Sequence, residues 1–246
     1  MSSVNYRFKA LTVGLAIDLL LSSGLPALAQ LPLGDTTFSS EQITFEESFT
    51  PPGDGQPKDT SGAGSRDGLR CSANEQPIRP LMPKRNYGLT FQERPSIFIY
   101  LPKTSARQVL LAFRDEAGKY YERAFLPIDN NAQIVSFQLP DDKSPLTVGK
   151  NYQWSLVIVC QETVQPDDPV FRGWVQRVGK SPELDRELAA KPVIEQLAWY
   201  GANGYWYDLM QTMVQARQTH PDSRQLMSLW ERLLQSVGLG AIAASQ

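Results

Sequence analysis

The chain has 246 residues, of which 41% are hydrophobic and 20% charged, and its formal net charge is −2. This length allows one large domain or two small ones, and the composition is that of an ordinary globular protein. The lysines and arginines are scattered, with one tight group at Arg79, Lys84 and Arg85, so no basic stripe predicts a nucleic-acid partner.

The first 29 residues have the three parts of a secretory signal peptide. Arg7 and Lys9 supply a positive start, and residues 10–21 form a mostly apolar run that Asp18 weakens. Ala27-Leu28-Ala29 then offers a small-x-small cleavage site. The run is shorter than the roughly 20 apolar residues of a membrane-spanning helix, and no later segment is longer. We therefore expect an exported chain in the periplasm, outside the cell or in the cell envelope, without a stable transmembrane segment.

Residues 30–69 are predicted to be a largely disordered linker. The Pro- and Gly-rich stretches 51–55 and 61–65 cannot sustain a helix or strand. The segment is polar, mildly acidic and poor in large apolar groups. A loose alternation within it indicates one short docked strand, carried by Phe38, Ile43, Phe45 and Phe49.

Cys71 and Cys160 are the only two cysteines. An exported protein folds where disulfides persist, so we expect these two residues to form a bond that closes a loop of about 90 residues. Two buried free thiols are the alternative. Two distant cysteines and a single histidine do not make a zinc site.

Between residues 70 and 180, apolar residues recur at every second position, which is the period of a half-buried strand. A short hairpin turn at Asp115–Gly118 separates two of these runs. About seven short strands without intervening helices favour a sandwich of two antiparallel sheets. The predicted strands lie at Leu89–Gln92, Ile97–Leu101, Val109–Phe113, Tyr120–Phe125, Val135–Leu139, Tyr152–Cys160 and Val170–Val178.

The segment Leu146–Tyr152 resembles the tyrosine corner of immunoglobulin-like and fibronectin-type-III-like sandwiches. In that motif a tyrosine at the start of a strand turns its hydroxyl back to the backbone just upstream. Tyr152 would fill this role, with Gly149 allowing the tight turn and Leu146 packing beneath. The region 70–180 is therefore predicted to be an immunoglobulin/fibronectin-III-like antiparallel β-sandwich domain.

Residues 181–240 have a helical period and are predicted to be a C-terminal helical region, so the fold class is α+β. Gly201 and Gly204 are expected to interrupt the second helix. The middle pair of helices resembles a single tetratricopeptide-like unit, but stacked repeats normally need about three units, so the helices should pack on the sandwich or on each other. The four helices are predicted to begin near Pro182 behind a Ser181 cap, near Pro192, near Tyr205 and near Asp222 or Ser223.

An ordered series of motifs runs through these elements. It comprises Leu81-Met82-Pro83, Asn86–Thr90, Pro95, Tyr100-Leu101-Pro102, Val148–Trp154, Gly173–Val178 and Gly204–Asp208. The series resembles that of the cyanobacterial secreted family catalogued as domain of unknown function 928, over roughly residues 70–240. The resemblance implies a cyanobacterial envelope protein and brings no catalytic residues.

The residues form no recognised catalytic motif, and no catalytic, cofactor-binding or metal-ligating residue is assigned. His220 is the only histidine and lies at a predicted helix end, where a polar residue commonly eases the terminus. Three adjacent acidic pairs fall in predicted turns, where aspartate is favoured for backbone reasons. They leave open a loop carboxylate pair for hydrolysis and, at the last pair, a calcium site. The pairs are Asp115-Glu116, Asp141-Asp142 and Asp167-Asp168.

Five aromatic residues crowd the junction between the second and third predicted helices. Exposed, they would stack on sugar rings or grip a peptide; buried, they would join the helices to the sandwich, which is the favoured interpretation. The function predicted is a non-catalytic exported module that binds an envelope protein or a glycan. A self-assembling envelope scaffold and a cell-wall polymer hydrolase are the alternatives, and the oligomeric state is left open. The five aromatics are Trp199, Tyr200, Tyr205, Trp206 and Tyr207.

Overall fold

The computed structural model describes residues 69–129 and 133–240, and within these ranges strands precede helices along the chain. The strands are β1 (Arg79–Pro80), β2 (Tyr87–Thr90), β3 (Ile97–Tyr100), β4 (Gln108–Asp115), β5 (Tyr120–Pro127), β6 (Ile134–Phe137), β7 (Asn151–Val159) and β8 (Val170–Arg177). The helices are α1 (Pro182–Ala190), α2 (Val193–Asn203), α3 (Trp206–Thr219) and α4 (Arg224–Ser236). The α+β class is confirmed. The predicted signal peptide, the linker up to residue 68 and the short strand within it lie outside the described residues.

The strands form two open sheets with the orders β1-β3-β6 and β2-β8-β7-β4-β5. In the larger sheet β2 and β8 pair in parallel, with Tyr87 beside Trp174 and Thr90 beside Arg177. The prediction of two antiparallel sheets is therefore wrong for this edge of the larger sheet. Alternation reports which face of a sheet a side chain occupies, but it carries no information on strand direction. Whether two neighbouring strands are parallel depends on the connection between them, and a parallel pair needs a long crossover connection.

Strand β7 shows how the alternating pattern builds the core. Tyr152, Trp154, Leu156 and Ile158 share one face of the strand and are almost completely buried. Each large apolar side chain buried in this way contributes about 1.5–3 kcal/mol to folding. The Trp154 ring lies over Gly173 on β8, where an added Cβ would come within 2.3 Å of the indole. The close approach explains why a glycine stands in the middle of a strand.

Two predicted local features are present in the structure. The Tyr152 hydroxyl accepts a hydrogen bond from the Thr147 N–H at 3.2 Å, and Gly149 makes the preceding turn with a φ of +78°. Cys71 and Cys160 form the expected disulfide, which spans 89 residues and fixes the segment before β1 to the chain just after β7. The tyrosine-corner hydrogen bond and the disulfide are thus confirmed.

The helices begin close to the predicted positions. Ser181 caps α1 by accepting the Leu184 N–H at 3.2 Å, with Pro182 at the first helical position. Gly201 does not interrupt α2, which continues to Asn203 and ends at Gly204 in the left-handed conformation. One glycine costs a helix only about 1 kcal/mol, and burial of the surrounding α2 side chains offsets that. The tetratricopeptide-like arrangement stays a prediction. None of the helices in the described ranges has the length and apolar character needed to cross a membrane.

Candidate functional site

The structure places the five predicted aromatic residues at the junction of α2 and α3. Tyr200, Tyr205, Trp206 and Tyr207 are buried, and Trp199 is half-buried. The junction therefore joins the helices to the sheets, and a partner-binding role for these five residues stays a prediction.

The first turn of α3 is docked onto the larger sheet by two hydrogen-bonded aromatics. The Tyr207 hydroxyl accepts from Trp154 Nε1 at 2.7 Å and donates to the Trp174 carbonyl at 2.9 Å. The Trp206 indole N–H donates to the Leu81 carbonyl at 3.0 Å. Gly88 on β2 permits this contact, since a Cβ there would lie 2.6 Å from Trp206 Cβ. The start of α3 is thus held rigidly against the strands.

A smaller aromatic stack lies beside this anchor. The Phe91 and Tyr205 rings are 4.1 Å apart between centroids, and Trp199 lies 5.2 Å from Tyr205. The Lys180 ammonium stands 5.3 Å from the Phe91 ring centroid, within the range of a cation–π interaction. Phe91, which follows β2, was not predicted as part of the junction.

Asp208, at the third position of α3, is the one buried carboxylate at this junction and is 3% exposed. Its carboxylate accepts the Phe91 backbone N–H at 3.1 Å and the Gln92 side-chain amide at 3.4 Å. Burial raises the pKa of Asp208 to about 6, although hydrogen bonds from Phe91, Thr90 and Gln92 oppose this increase. Burial also raises the pKa of Tyr200 to about 12, with a further contribution from the charge of Asp208.

A polar cavity of about 220 Å³ opens beside Asp208. Its walls come from α3, from the connection between β2 and β3, from the residue just after β6, and from α2. The α3 contribution is Tyr207 together with positions 208, 211, 212 and 215, and the spacing of three, four and seven among the last four places them on one helix face. The lining residues are Gln92, Arg94, Ser96, Gln138, Tyr200, Tyr207, Asp208, Gln211, Thr212 and Gln215.

Half of this wall is already committed to hydrogen bonds within the protein. Besides Asp208, Arg94 donates to the Lys143 carbonyl at 2.6 and 3.0 Å and to the Asp141 carbonyl at 3.0 Å. Gln138 donates its amide to the Arg94 carbonyl, and Tyr207 holds the two bonds described above. These groups shape the cavity, but their polar atoms are largely used.

The other half of the wall is uncommitted. Five side chains that line the cavity make no hydrogen bond to any other residue in the described ranges, and they offer three hydroxyls and two primary amides. Hydroxyls and amides each present both donors and acceptors. The cavity therefore presents donors and acceptors that make no side-chain hydrogen bond within the described part of the chain. These side chains are Ser96, Tyr200, Gln211, Thr212 and Gln215.

The acidic pairs considered from the sequence lie elsewhere. Asp115 accepts the Lys119 N–H at 2.9 Å, and Glu116 accepts the Asn151 amide at 2.6 Å. Asp168 is buried, and its two oxygens accept the backbone N–H groups of Cys160 and Gln165. The described part of the chain brings together no group of three or more histidine, cysteine or acidic side chains suited to a metal ion.

Two other predicted positions also lie away from the cavity. Asp141 and Asp142 are strongly exposed. His220 follows α3, with its Nδ1 atom 2.8 Å from the Thr219 hydroxyl. Neither position contributes a side chain to the cavity wall.

Asp208 and the polar side chains that follow it were not assigned as site residues from the sequence. The available signal was a polar stripe at spacings of three, four and seven within the predicted third helix. The apolar stripe of the same helix, Leu209, Met213 and Ala216, dominates its pattern and accounts for the packing, so the sequence did not single out the polar face.

A family model described as Domain of Unknown Function (DUF928) matches residues 61–246, which include the motif series, the cavity and the disulfide. No curated protein matches the chain.

Proposed function

The chain belongs to the family described as Domain of Unknown Function (DUF928), and from that premise we propose that it is an exported cell-envelope module that binds a ligand without transforming it. The observation that carries the proposal is the polar cavity beside α3, with its five uncommitted side chains. Small-ligand sites are concave and contain a few placed polar groups that fix the orientation of the ligand.

The residues of the cavity favour binding over catalysis. Hydrolysis by a carboxylate pair needs two acidic groups flanking the scissile bond. Asp208 is the single acidic side chain among the described residues that line the cavity, and its oxygens already accept hydrogen bonds from Phe91, Thr90 and Gln92. The cell-wall hydrolase therefore has no support from this site.

Export is supported by two independent features of the chain. Residues 1–29 carry the charged start, apolar run and small-residue cleavage site of a signal peptide. The Cys71–Cys160 disulfide suits a compartment in which thiols are oxidised. The resemblance of the motif series adds support for a cyanobacterial envelope protein.

The strand order supports an immunoglobulin-like assignment of the two sheets. In such sandwiches strands A, B and E share one sheet, and C, F and G share the other. In this proposal β1, β3 and β6 correspond to A, B and E, and β4, β7 and β8 to C, F and G. β5 beside β4 corresponds to the additional C′ strand of variable-type domains. The disulfide departs from that pattern because it ties a segment before β1, and not a B strand, to the end of the F-like strand.

Export and binding are testable together on the full chain. When the protein is expressed with a C-terminal tag, the mature form should begin at Gln30. The mature protein should sediment with insoluble cell-envelope polysaccharide, and combining Gln211→Ala with Thr212→Val should weaken retention about tenfold. Gln218→Ala, on α3 but outside the cavity, is the matched control.

Three results would contradict the proposal. Retention that is absent, or equal in the double variant and wild type, would refute binding through the cavity. Release of soluble reducing sugar during the incubation would indicate hydrolysis. An intact Met1 in a cytoplasmic pool would refute export.

A self-assembling scaffold is a second candidate, and one observation favours it. β5 is an edge strand of the larger sheet, and its outer face carries Tyr120 and Phe125, which are 54% and 57% exposed. Arg114 and Arg123 lie over the Tyr120 ring at 4.1 and 5.9 Å. Exposed edge strands can pair with another chain. Light scattering of the mature protein decides the matter, since a monomer excludes the scaffold and a dimer lost in Phe125→Asp supports it.

A further inference from the structure

We propose that the cavity beside α3 takes a neutral, polyhydroxylated ring, the ring of a saccharide, held by the Gln211 and Thr212 side chains. The inference rests on the proposed binding function and names its ligand class. It follows from three properties of the cavity, which are its charge, its hydrogen-bonding groups and its size.

The charges of the cavity favour a neutral ligand. Arg94 and Asp208 supply one charge of each sign among the described lining residues. Arg94 is held by two backbone carbonyls and lies 3.9 Å from both the Glu93 and the Asp141 carboxylates. An anionic ligand would lose its hydration without gaining an unpartnered cation, and burying an unpaired charge is costly.

A cationic ligand is disfavoured for the complementary reason. The Asp208 oxygens already accept the Phe91 N–H and the Gln92 amide. These bonds fix the end of β2 to α3, so a cation would have to displace bonds that hold the two elements together. The charged groups of the cavity therefore act within the fold and leave recognition to the neutral groups.

The hydrogen-bonding groups favour hydroxyls as partners. The uncommitted wall combines the hydroxyls of Ser96, Tyr200 and Thr212 with the amides of Gln211 and Gln215. Each of these groups donates and accepts, as does each hydroxyl of a sugar, so many pairings of the two sets are satisfied in both directions. An apolar ring would instead displace water from these groups and leave them without partners, which is unfavourable.

The size and shape of the cavity favour a single ring. Its volume of about 220 Å³ is below the range of about 300–1,000 Å³ that holds drug-sized molecules. Gln92, Gln138 and Gln215 of the wall are exposed, so the cavity is open to solvent and a longer glycan chain could extend out of it.

The test is a titration of the full ¹⁵N-labelled chain, in which the side-chain amide signals of Gln211 and Gln215 are followed by nuclear magnetic resonance. The neutral probes are D-glucose, D-galactose and D-mannose. D-glucuronate and D-glucosamine keep the ring and add one charge, and cyclohexanol keeps a six-membered ring and one hydroxyl. At least one neutral hexose should shift both amide signals in a saturable way, and its charged counterparts and cyclohexanol should bind more weakly.

Substitutions of the lining residues test whether the hexose binds in the cavity. Thr212→Val, which keeps the side-chain shape and removes the hydroxyl, should raise the dissociation constant of the bound hexose about five- to tenfold. Gln211→Ala should raise it by a similar factor, and Gln218→Ala should leave it unchanged. Backbone spectra that match the wild type show that each variant is folded. If Gln211→Ala or Thr212→Val fails to fold, Gln215→Ala, at another lining residue, takes its place.

The outcomes separate this inference from the proposed function. Stronger binding of glucuronate, glucosamine or cyclohexanol, or no response to any hexose, overturns the saccharide assignment. If envelope polysaccharide still retains the wild type and not the double variant, the proposed function stands, but the ring that the cavity binds is not one of these neutral hexoses. If neither the retention assay nor the titration shows binding, both the proposed function and the saccharide assignment are wrong. A hexose that shifts signals only outside the cavity overturns the inference as well.

Discussion

The buried carboxylate of Asp208 makes the stability of the protein depend on pH in an unusual direction. Carboxylates that are paired or hydrogen-bonded in the folded state usually have a lowered pKa and lose their contribution as the pH falls. Burial raises the pKa of Asp208 from 3.8 to about 6, so the folded state holds its proton more tightly than the unfolded state does. The favourable contribution is therefore complete below about pH 4 and is lost as the pH rises to about 6.

The magnitude follows from the two pKa values. They differ by about 2, and each unit corresponds to about 1.4 kcal/mol, so the free energy of unfolding should fall by about 3 kcal/mol across this window. Tyr200 and Tyr205 face the carboxylate without ionising there, because burial raises the pKa of both phenols above the ordinary value of 10. A loss of 3 kcal/mol is a large part of the 5–15 kcal/mol by which domains are normally stable.

Asp208→Asn removes this dependence while keeping an oxygen for the Phe91 N–H. Urea unfolding of the wild type and the variant at about pH 4 and pH 7 measures it. The difference in unfolding free energy between the two proteins should change by about 3 kcal/mol, or roughly 1–3 M in urea midpoint. Gln218→Ala should parallel the wild type at both pH values. Parallel profiles for Asp208→Asn and the wild type would refute the argument.

Three further substitutions test the packing around the cavity. Tyr207→Phe leaves the Trp154 indole N–H without its partner and removes the hydrogen bond to the Trp174 carbonyl, and urea unfolding should show a loss of about 1–3 kcal/mol. Gly173→Ala forces a Cβ to within 2.3 Å of the Trp154 ring and should cost about 1–3 kcal/mol or more, seen as a lower thermal midpoint. Cys71→Ser with Cys160→Ser opens a loop spanning 89 residues and should cost about 4–5 kcal/mol, measured by urea unfolding with and without reductant.

Each of these substitutions has a control. Tyr121→Phe removes an exposed hydroxyl that donates to the Pro145 carbonyl. If it lowered the free energy of unfolding as much as Tyr207→Phe does, the effect of Tyr207→Phe could not be attributed to its buried hydrogen bonds. Gly179→Ala meets its nearest neighbour at 3.4 Å, and a midpoint as low as that of Gly173→Ala would argue against a steric cause. Reduced wild type should match the double serine variant, and a difference between them would show that the serines act by another route.

The parts of the fold that could be predicted are those in which local pattern and burial agree. β7 alternates strictly because one of its faces is buried, and α1 begins at Ser181 because its cap is local. The parallel pairing of β2 with β8 had no local signature, since residues 85 or more apart along the chain meet there. Gly201 was predicted to interrupt α2 because glycine has a low helix propensity. The packing that stabilises the helix around Gly201 cannot be read from the local sequence.

The candidate site could not be predicted either, because it depends on contacts between residues that are distant in the sequence. The cavity forms only where Gln92 and Arg94, Gln138 and the face of α3 converge, and these segments are far apart in the sequence. The aromatic residues around the cavity could be recognised in the sequence because tryptophans and tyrosines are concentrated in one short segment. Their placement depends on two close approaches at Gly88 and Gly173, which no periodicity reveals.

The measurement that tests the central claim most directly is a crystal structure of the full chain grown with a short neutral glycan that the envelope-binding assay identifies. We predict one sugar ring in the cavity beside α3, with its hydroxyls bonded to Gln211 and Thr212 and the hydrogen bond from Phe91 to Asp208 intact. A glycan bound on the β5 face or against Trp199, with the cavity filled only by water, would contradict the account.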